Sequence, residues 1–197
     1  MVWRVLLTGI DAKGVETDVE RRFGAVLDGF RASFARKDFP SKQSEPDLLM
    51  EVFGLTNAMK LSQPQYWGRE LGSCWERLVK EACAQAPYRV SFPPPGSRRT
   101  PCDIILRQLA IETKYRVGSG DSGTLQKLQA NGRTLQKAGF EPILLILRND
   151  SLPNAMAAAR AGGWRILADA DAFEFIRTET GVDLKAFMMR EAVRCRA

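Results

Sequence analysis

Residues 101–114 of this 197-residue chain have the sequence PCDIILRQLAIETK. Residues 102–106 and 109–115 are typical of short strands, and Arg107 and Gln108 would join them as a two-residue turn. That pair lacks the Gly or Asn that such a turn usually contains. The stretch therefore predicts a β-hairpin with an unusual turn.

The hairpin would bring three charged side chains together. Side chains alternate along a strand, so Glu112 and Lys114 share one face while Thr113 points to the other. With this turn, cross-strand counting places Asp103 directly opposite Glu112. Two carboxylates so close favour a cation between them, and with water and phosphate oxygens they form the oxygen-only environment that Mg²⁺ prefers. The hairpin thus predicts a Mg²⁺ site, with Lys114 placed to orient or deprotonate an attacking water.

The segments around the hairpin predict an α/β chain. Residues 71–83 show strong helical periodicity, residues 142–147 are typical of a strand buried on both faces, and residues 118–123 predict a loop. Further elements are expected as follows: helices near residues 17–34, 48–53, 125–135 (weakened by Gly132), 155–161, 172–178 and 184–194, and strands at 88–92 and 164–167. We expect a mixed β-sheet flanked by helices, with an N-terminal helical extension.

The spacing Asp-x8-Glu-x-Lys, formed by Asp103, Glu112 and Lys114, resembles the active-site motif of the PD-(D/E)XK nuclease superfamily. The predicted order of helix, three strands, helix and strand is also similar to that superfamily's core. One departure is that Cys102 separates Pro101 from the aspartate. The resemblance implies a restriction-endonuclease-like core within a single nuclease domain, residues 1–197. Its parts would be a helical N-terminal region (1–65), a catalytic core (66–150) and C-terminal helices with an edge strand (151–197).

The resemblance also implies roles for individual residues. Asp103, Glu112 and the backbone carbonyl of Thr113 would bind Mg²⁺, and Lys114 would serve the attacking water. Many members carry a helix glutamate in a G-x-x-x-E pattern, which residues 72–76 resemble, so Glu76 would be a fourth catalytic residue. Glu70 borders the same apolar stripe of the predicted helix, and helical geometry alone does not decide between the two.

The charge balance favours a polyanionic partner. Lys and Arg outnumber Asp and Glu by 29 to 23, which gives a net charge of +6, and the isoelectric point is about 9.3. Residues 116–124 form a Gly- and Ser-rich stretch that could reach base edges, with Ser119 as a candidate. The candidate phosphate contacts are Arg98, Arg99, Arg116, Lys127, Arg133 and Lys137. The resemblance to the nuclease superfamily implies that this partner is double-stranded DNA.

Several classes of chemistry are excluded or disfavoured. The chain has no histidine, which removes histidine general bases, histidine-ligated metals and Ser-His-Asp catalysis. The four cysteines form no CxxC pair, and residues 8–14 look like a phosphate loop but lack its Gly-Lys-Ser/Thr end. We expect no nucleotide cofactor, no membrane span and a cytoplasmic location.

The leading hypothesis is a Mg²⁺-dependent type II restriction endonuclease that acts as a homodimer. Residues 111–120, IETKYRVGSG, also resemble the ApaLI-like restriction subgroup. One catalytic site per chain would cut both strands most simply as a two-fold dimer. A structure-specific repair or recombination nuclease, such as a junction resolvase, and a non-catalytic nucleic-acid-binding protein are the alternatives.

Overall fold

The computed structural model describes residues 46–98 and 100–196, and the side chain of Arg196 is not part of that description. The helix expected near residues 17–34 and the candidate contact Arg99 lie outside the described residues. The helices are α1 (Leu48–Val52), α2 (Asn57–Ser62), α3 (Pro64–Ala84), α4 (Ser122–Lys137), α5 (Pro153–Ala161), α6 (Ala170–Thr180) and α7 (Leu184–Arg196). The strands are β1 (Val90–Ser91), β2 (Ile104–Leu106), β3 (Leu109–Lys114), β4 (Glu141–Ile146) and β5 (Arg165–Ala168).

The five strands form one mixed sheet in the order β1-β2-β3-β4-β5. β1, β2 and β3 are antiparallel neighbours, whereas β4 runs parallel to β3 and β5 runs parallel to β4. The α4 helix connects β3 to β4, as a parallel connection requires. The prediction of an α/β chain with a mixed sheet and flanking helices is confirmed.

Helices cover both faces of this sheet. Side chains of α1, α3, α6 and α7 pack on one face, where Ile111 and Leu145 are fully buried. Side chains of α4 and α5 pack on the other, where Leu144 and Ile146 are fully buried. The continuous apolar run of β4 is therefore explained by burial on both faces.

The hairpin turn forms where the sequence predicts it, at Arg107 and Gln108. Arg107 adopts a φ of 56°, a conformation in which turns usually place Gly. Its guanidinium donates to Glu179 at 2.5 Å and stacks 4.0 Å from the centroid of the Tyr88 ring. These contacts with Glu179 of α6 and with Tyr88, just before β1, compensate for an unfavourable backbone conformation.

Two local expectations need correction. The α2 helix was not predicted, because it has only six residues and no apolar periodicity; it begins after Thr56, whose hydroxyl accepts from the amide of Met59 at 3.2 Å. The loop expected at residues 118–123 is shorter, because Asp121 caps α4 by accepting from the amide of Thr124 at 2.9 Å. Gly123 therefore belongs to the helix.

Gly132 was expected to weaken α4, but it has a packing function. A Cβ at this position would lie 2.3 Å from the carbonyl oxygen of Gly162, and 2.7 Å from the indole nitrogen of Trp164. The glycine thus lets α4 approach the end of α5 closely. The same indole donates to the carbonyl of Leu128 at 2.7 Å, which fastens this contact.

None of the helices in the described ranges has the length and apolar composition needed to cross a lipid bilayer.

Candidate active site

Glu112 and Lys114 lie side by side on the α4 face of β3, as strand alternation predicts. The amino group of Lys114 donates to Glu112 Oε1 at 2.5 Å. The Glu112 side chain is 18% exposed and that of Lys114 is 40% exposed, so the pair lies at the border of the core and solvent. This charged pair on a central strand is thus partly accessible from solvent.

Asp103 lies one residue before β2 and reaches β3 through its side chain. Its Oδ2 accepts from the backbone amide of Thr113 at 2.7 Å and from the Thr113 hydroxyl at 2.8 Å. The carboxylate therefore takes the place of a backbone partner at the point where the antiparallel ladder ends.

The predicted cross-strand pair of Asp103 and Glu112 is a detail that needs correction. The predicted register is confirmed from Leu106↔Leu109 to Ile104↔Ile111, where the ladder ends. Beyond it the amide of Asp103 donates to the carbonyl of Ile111 at 2.9 Å, one residue short of Glu112. The two carboxylates still share one site, because each contributes to the electrostatic environment of Lys114.

The electrostatics of the site reflect this crowding. Burial raises the pKa of Glu112 and the charge of Asp103 raises it further, while Lys114 and Lys127 act in the opposite direction. Burial alone would lower the pKa of Lys114, but the carboxylates of Glu112, Asp103 and Glu76 outweigh it and raise that pKa. Negative charge thus accumulates around one ammonium group, which is the environment that a divalent cation would neutralise.

Glu76 rather than Glu70 is the helix carboxylate whose charge acts on Lys114. Glu76 accepts from Lys80, one helical turn further along α3, at 2.5 Å. Glu70 is 50% exposed and pairs with its neighbour Arg69 at 3.5 Å. The structure therefore distinguishes two positions that the helical wheel left equivalent, while a catalytic role for Glu76 stays a prediction.

The residues around Asp103 fit the Mg²⁺ that the motif implies. Asp103 Oδ2 is held by Thr113, whereas Oδ1 has no hydrogen-bond donor among the described residues. The amide and carbonyl of one strand residue point to the same edge, so the Thr113 carbonyl faces the same side as Asp103. Two carboxylates and one carbonyl are hard oxygen donors, which Mg²⁺ takes together with water.

That donor set contains two carboxylates only. Accordingly, a search of residues 46–98 and 100–196 for three or more His, Cys, Asp or Glu side chains placed to hold a metal finds none. Water and phosphate oxygens would have to complete the coordination shell.

A largely buried ionic network, which the sequence does not predict, adjoins the end of β3. Arg148, which follows β4, donates to Asp47 at 2.5 Å and to Asp150 at 2.8 Å. The hydroxyl of Tyr115, the residue after Lys114, also donates to Asp47 and accepts from Lys60 at 2.5 Å. Burial together with Arg148 lowers the pKa of Lys60 to about 8.

This network fastens the ends of β3 and β4 to the start of α1. Asp47 also caps that helix, because its other oxygen accepts from the amides of Leu49 and Met50 at 3.1 Å. Asp47 and Arg148 are 101 residues apart in the chain, so no local sequence signal connects them. The contact fixes the strand end that carries Lys114.

The candidate DNA contacts fall into two groups. Lys127 is exposed on α4, and its charge acts on Glu112. Arg98, Arg133 and Lys137 are exposed, and no contact with another described residue ties them to the site. Of these four candidates, Lys127 is therefore the one with an electrostatic link to Glu112.

Two other candidates have protein partners. The guanidinium of Arg116 donates to the carbonyl of Asp150 at 3.0 Å and pairs with its carboxylate at 3.1 Å. The hydroxyl of Ser119 donates to the Asp121 carboxylate that caps α4. Both side chains thus organise residues 116–121 in the DNA-free protein, and contact with DNA would require them to exchange partners.

Comparisons of the chain with protein-family models, curated proteins and solved structures found no match.

Proposed function

We propose that this protein is a Mg²⁺-dependent endonuclease that hydrolyses phosphodiester bonds of double-stranded DNA. The observation that carries the proposal is the clustering of Asp103, Glu112 and Lys114 where the β2–β3 hairpin opens, with Glu76 acting on Lys114 from α3. The order α3, β1, β2, β3, α4, β4 supports a restriction-endonuclease-like core.

Each residue of the site would have a distinct role in phosphodiester hydrolysis. Asp103, Glu112 and the Thr113 carbonyl would hold Mg²⁺, which supplies Lewis acidity toward the phosphate when bound. Lys114, already hydrogen-bonded to Glu112, would hold the attacking water beside the scissile phosphate. Lys127, on the same face, would contact a DNA phosphate.

The particular form we propose is a type II restriction endonuclease that cuts at a short specific site as a homodimer. Support comes from the motif run at residues 111–120 and from the single cluster of Asp103, Glu112 and Lys114 that the described residues form. A two-fold dimer would place two such clusters on opposite strands of a palindromic site. Gel filtration of the protein on its cleaved site should give two chains per duplex, and a single chain on a duplex cut in both strands would refute the dimer.

The decisive experiment is incubation of the purified protein with a long plasmid and Mg²⁺, followed by sequencing of the fragment ends. We expect discrete fragments with 5′-phosphate ends and no cleavage in EDTA, and Asp103→Asn is the matched inactive control. Cleavage that persists in EDTA, or intact DNA with both Mg²⁺ and Mn²⁺, would contradict the proposal. Cleavage of branched DNA alone would instead indicate a structure-specific nuclease.

A further inference from the structure

We propose that the Thr113 hydroxyl is a positioning group that orients the Asp103 carboxylate for metal binding. This inference rests on the proposed nuclease function, and it assigns to the side chain of Thr113 a role separate from that of its backbone carbonyl. Any residue at position 113 would supply a carbonyl oxygen. Only a residue with a hydroxyl close to the backbone would supply the second donor to Asp103.

The geometry is that of a clamp on a single carboxylate oxygen. The Thr113 amide at 2.7 Å and hydroxyl at 2.8 Å both donate to Oδ2. The backbone of Asp103 is held as well, because its amide donates to the Ile111 carbonyl at 2.9 Å. Backbone and side chain of Asp103 are thus both fastened to β3, which leaves Oδ1 as the oxygen available to a cation.

Thr113 is itself well fixed. It is 5% exposed and lies on the central strand of the sheet, where a polar side chain is tolerated because it is hydrogen-bonded. Threonine is β-branched, so its side-chain torsion is restricted, and its hydroxyl donates to Asp103 Oδ2 at 2.8 Å. Through its hydrogen bonds, the buried Thr113 on β3 therefore fixes the orientation of the Asp103 carboxylate, which lies outside the strands.

The hydrogen bonds from Thr113 to Asp103 also oppose an electrostatic attraction. The positive charge of Lys114 acts on Asp103 as well as on Glu112, to which its amino group donates at 2.5 Å. A carboxylate without the hydroxyl donor would be freer to turn toward the ammonium group. Groups that orient the ligands of a metal typically affect its affinity by 10–100-fold when removed.

The test compares Thr113→Val, which keeps the branched shape but lacks the hydroxyl, with Thr113→Ser, which keeps the hydroxyl. We expect the Mg²⁺ concentration for half-maximal cleavage to rise roughly tenfold in Thr113→Val, with a much smaller change in the maximal rate at saturating Mg²⁺. The Mg²⁺ concentration that produces half of the thermal stabilisation should rise in parallel. Thr113→Ser should retain the wild-type Mg²⁺ dependence in both measurements.

Thr180→Val is the matched control. Thr180 is also buried, at 7% exposure, and its hydroxyl donates to the Ile176 carbonyl at 2.7 Å within α6. Its removal should lower stability without changing the Mg²⁺ dependence. If Thr113→Val proves unfolded, the pair Thr113→Ala and Thr113→Ser replaces it, since both lack the methyl group and only Ser has the hydroxyl.

The outcomes separate this inference from the proposed function. Wild-type Mg²⁺ dependence in Thr113→Val, or equal dependence in the Ala and Ser variants, would overturn the positioning role while the nuclease function stands. A wild-type protein that neither cleaves DNA nor gains thermal stability from Mg²⁺ would overturn the proposed function and the inference with it.

Discussion

Lys114 and Glu112 are joined by a hydrogen bond of 2.5 Å between Nζ and Oε1, two positions apart on the same face of a central strand. The contact keeps a partly buried carboxylate paired in the DNA-free protein. It also places an ammonium group where the proposed metal and phosphate would meet. Substitutions at this pair are therefore the most direct probe of the site.

We expect Lys114→Met to lower the cleavage rate by at least about 100-fold while DNA binding persists. The physical reason is that a group acting on the attacking water contributes about 10²–10⁴-fold to a rate, whereas phosphate contacts by other residues maintain affinity. Single-turnover cleavage and a binding assay in Ca²⁺ would measure the two effects separately. Cleavage within a few-fold of wild type would remove Lys114 from the mechanism.

Mg²⁺ should stabilise the folded protein through Asp103 and Glu112. A ligand at ten times its Kd that binds only the native state adds about 1.4 kcal/mol to the free energy of unfolding. Thermal melting with and without Mg²⁺ should show this gain in the wild type and its loss in Asp103→Asn and Glu112→Gln. An equal Mg²⁺ effect in all three proteins would place the metal elsewhere.

Glu76→Gln and Glu70→Gln form a matched pair on the same helix. Glu76 acts electrostatically on Lys114, whereas Glu70 is half exposed and pairs with Arg69. We expect the first substitution to slow cleavage roughly tenfold and the second to leave it within about twofold of wild type. If a steady-state cleavage assay gave the reverse pattern, Glu70 rather than Glu76 would be the fourth catalytic residue.

Asp47→Ala should destabilise the fold strongly. The Arg148 side chain, only 6% exposed, would lose one of its two carboxylate partners, and α1 would lose its N-terminal cap. A loss of about 3 kcal/mol in the free energy of unfolding is expected from breaking a buried pair. Urea denaturation measures it, and Glu191→Ala, in a surface pair with Arg194, is the control that should change little.

Lys127→Gln should weaken DNA binding and reduce its salt dependence. A lysine that neutralises one phosphate contributes about one to the slope of log affinity against log salt. Affinities measured over a salt series, with Lys185→Gln on α7 as a control, would test this. If the slope were unchanged in Lys127→Gln, the charge of Lys127 would act on the carboxylates of the site rather than on a DNA phosphate.

Much of the fold was predictable because its signals are local. Alternation in β3, the apolar run of β4 and the periodicity of α3 each follow from neighbouring residues, and the structure contains all three elements. The short α2 helix was not predicted, because its six residues show no apolar periodicity. Its main sequence signal is the N-terminal cap at Thr56. The role of Gly132 was misjudged, because its reason is the approach of another helix rather than a property of α4.

Some features of the candidate site were likewise predictable from local sequence, and others were not. By itself, the sequence determined that Glu112 and Lys114 share a face of one strand, since the two-residue repeat of a strand requires it. Only the tertiary structure decided that Asp103 bonds to Thr113 rather than continuing the ladder, and that Arg148 is held by Asp47, 101 residues away. Those contacts join residues that are not neighbours in the chain. Their relative positions are set by the packing of the whole sheet and its helices.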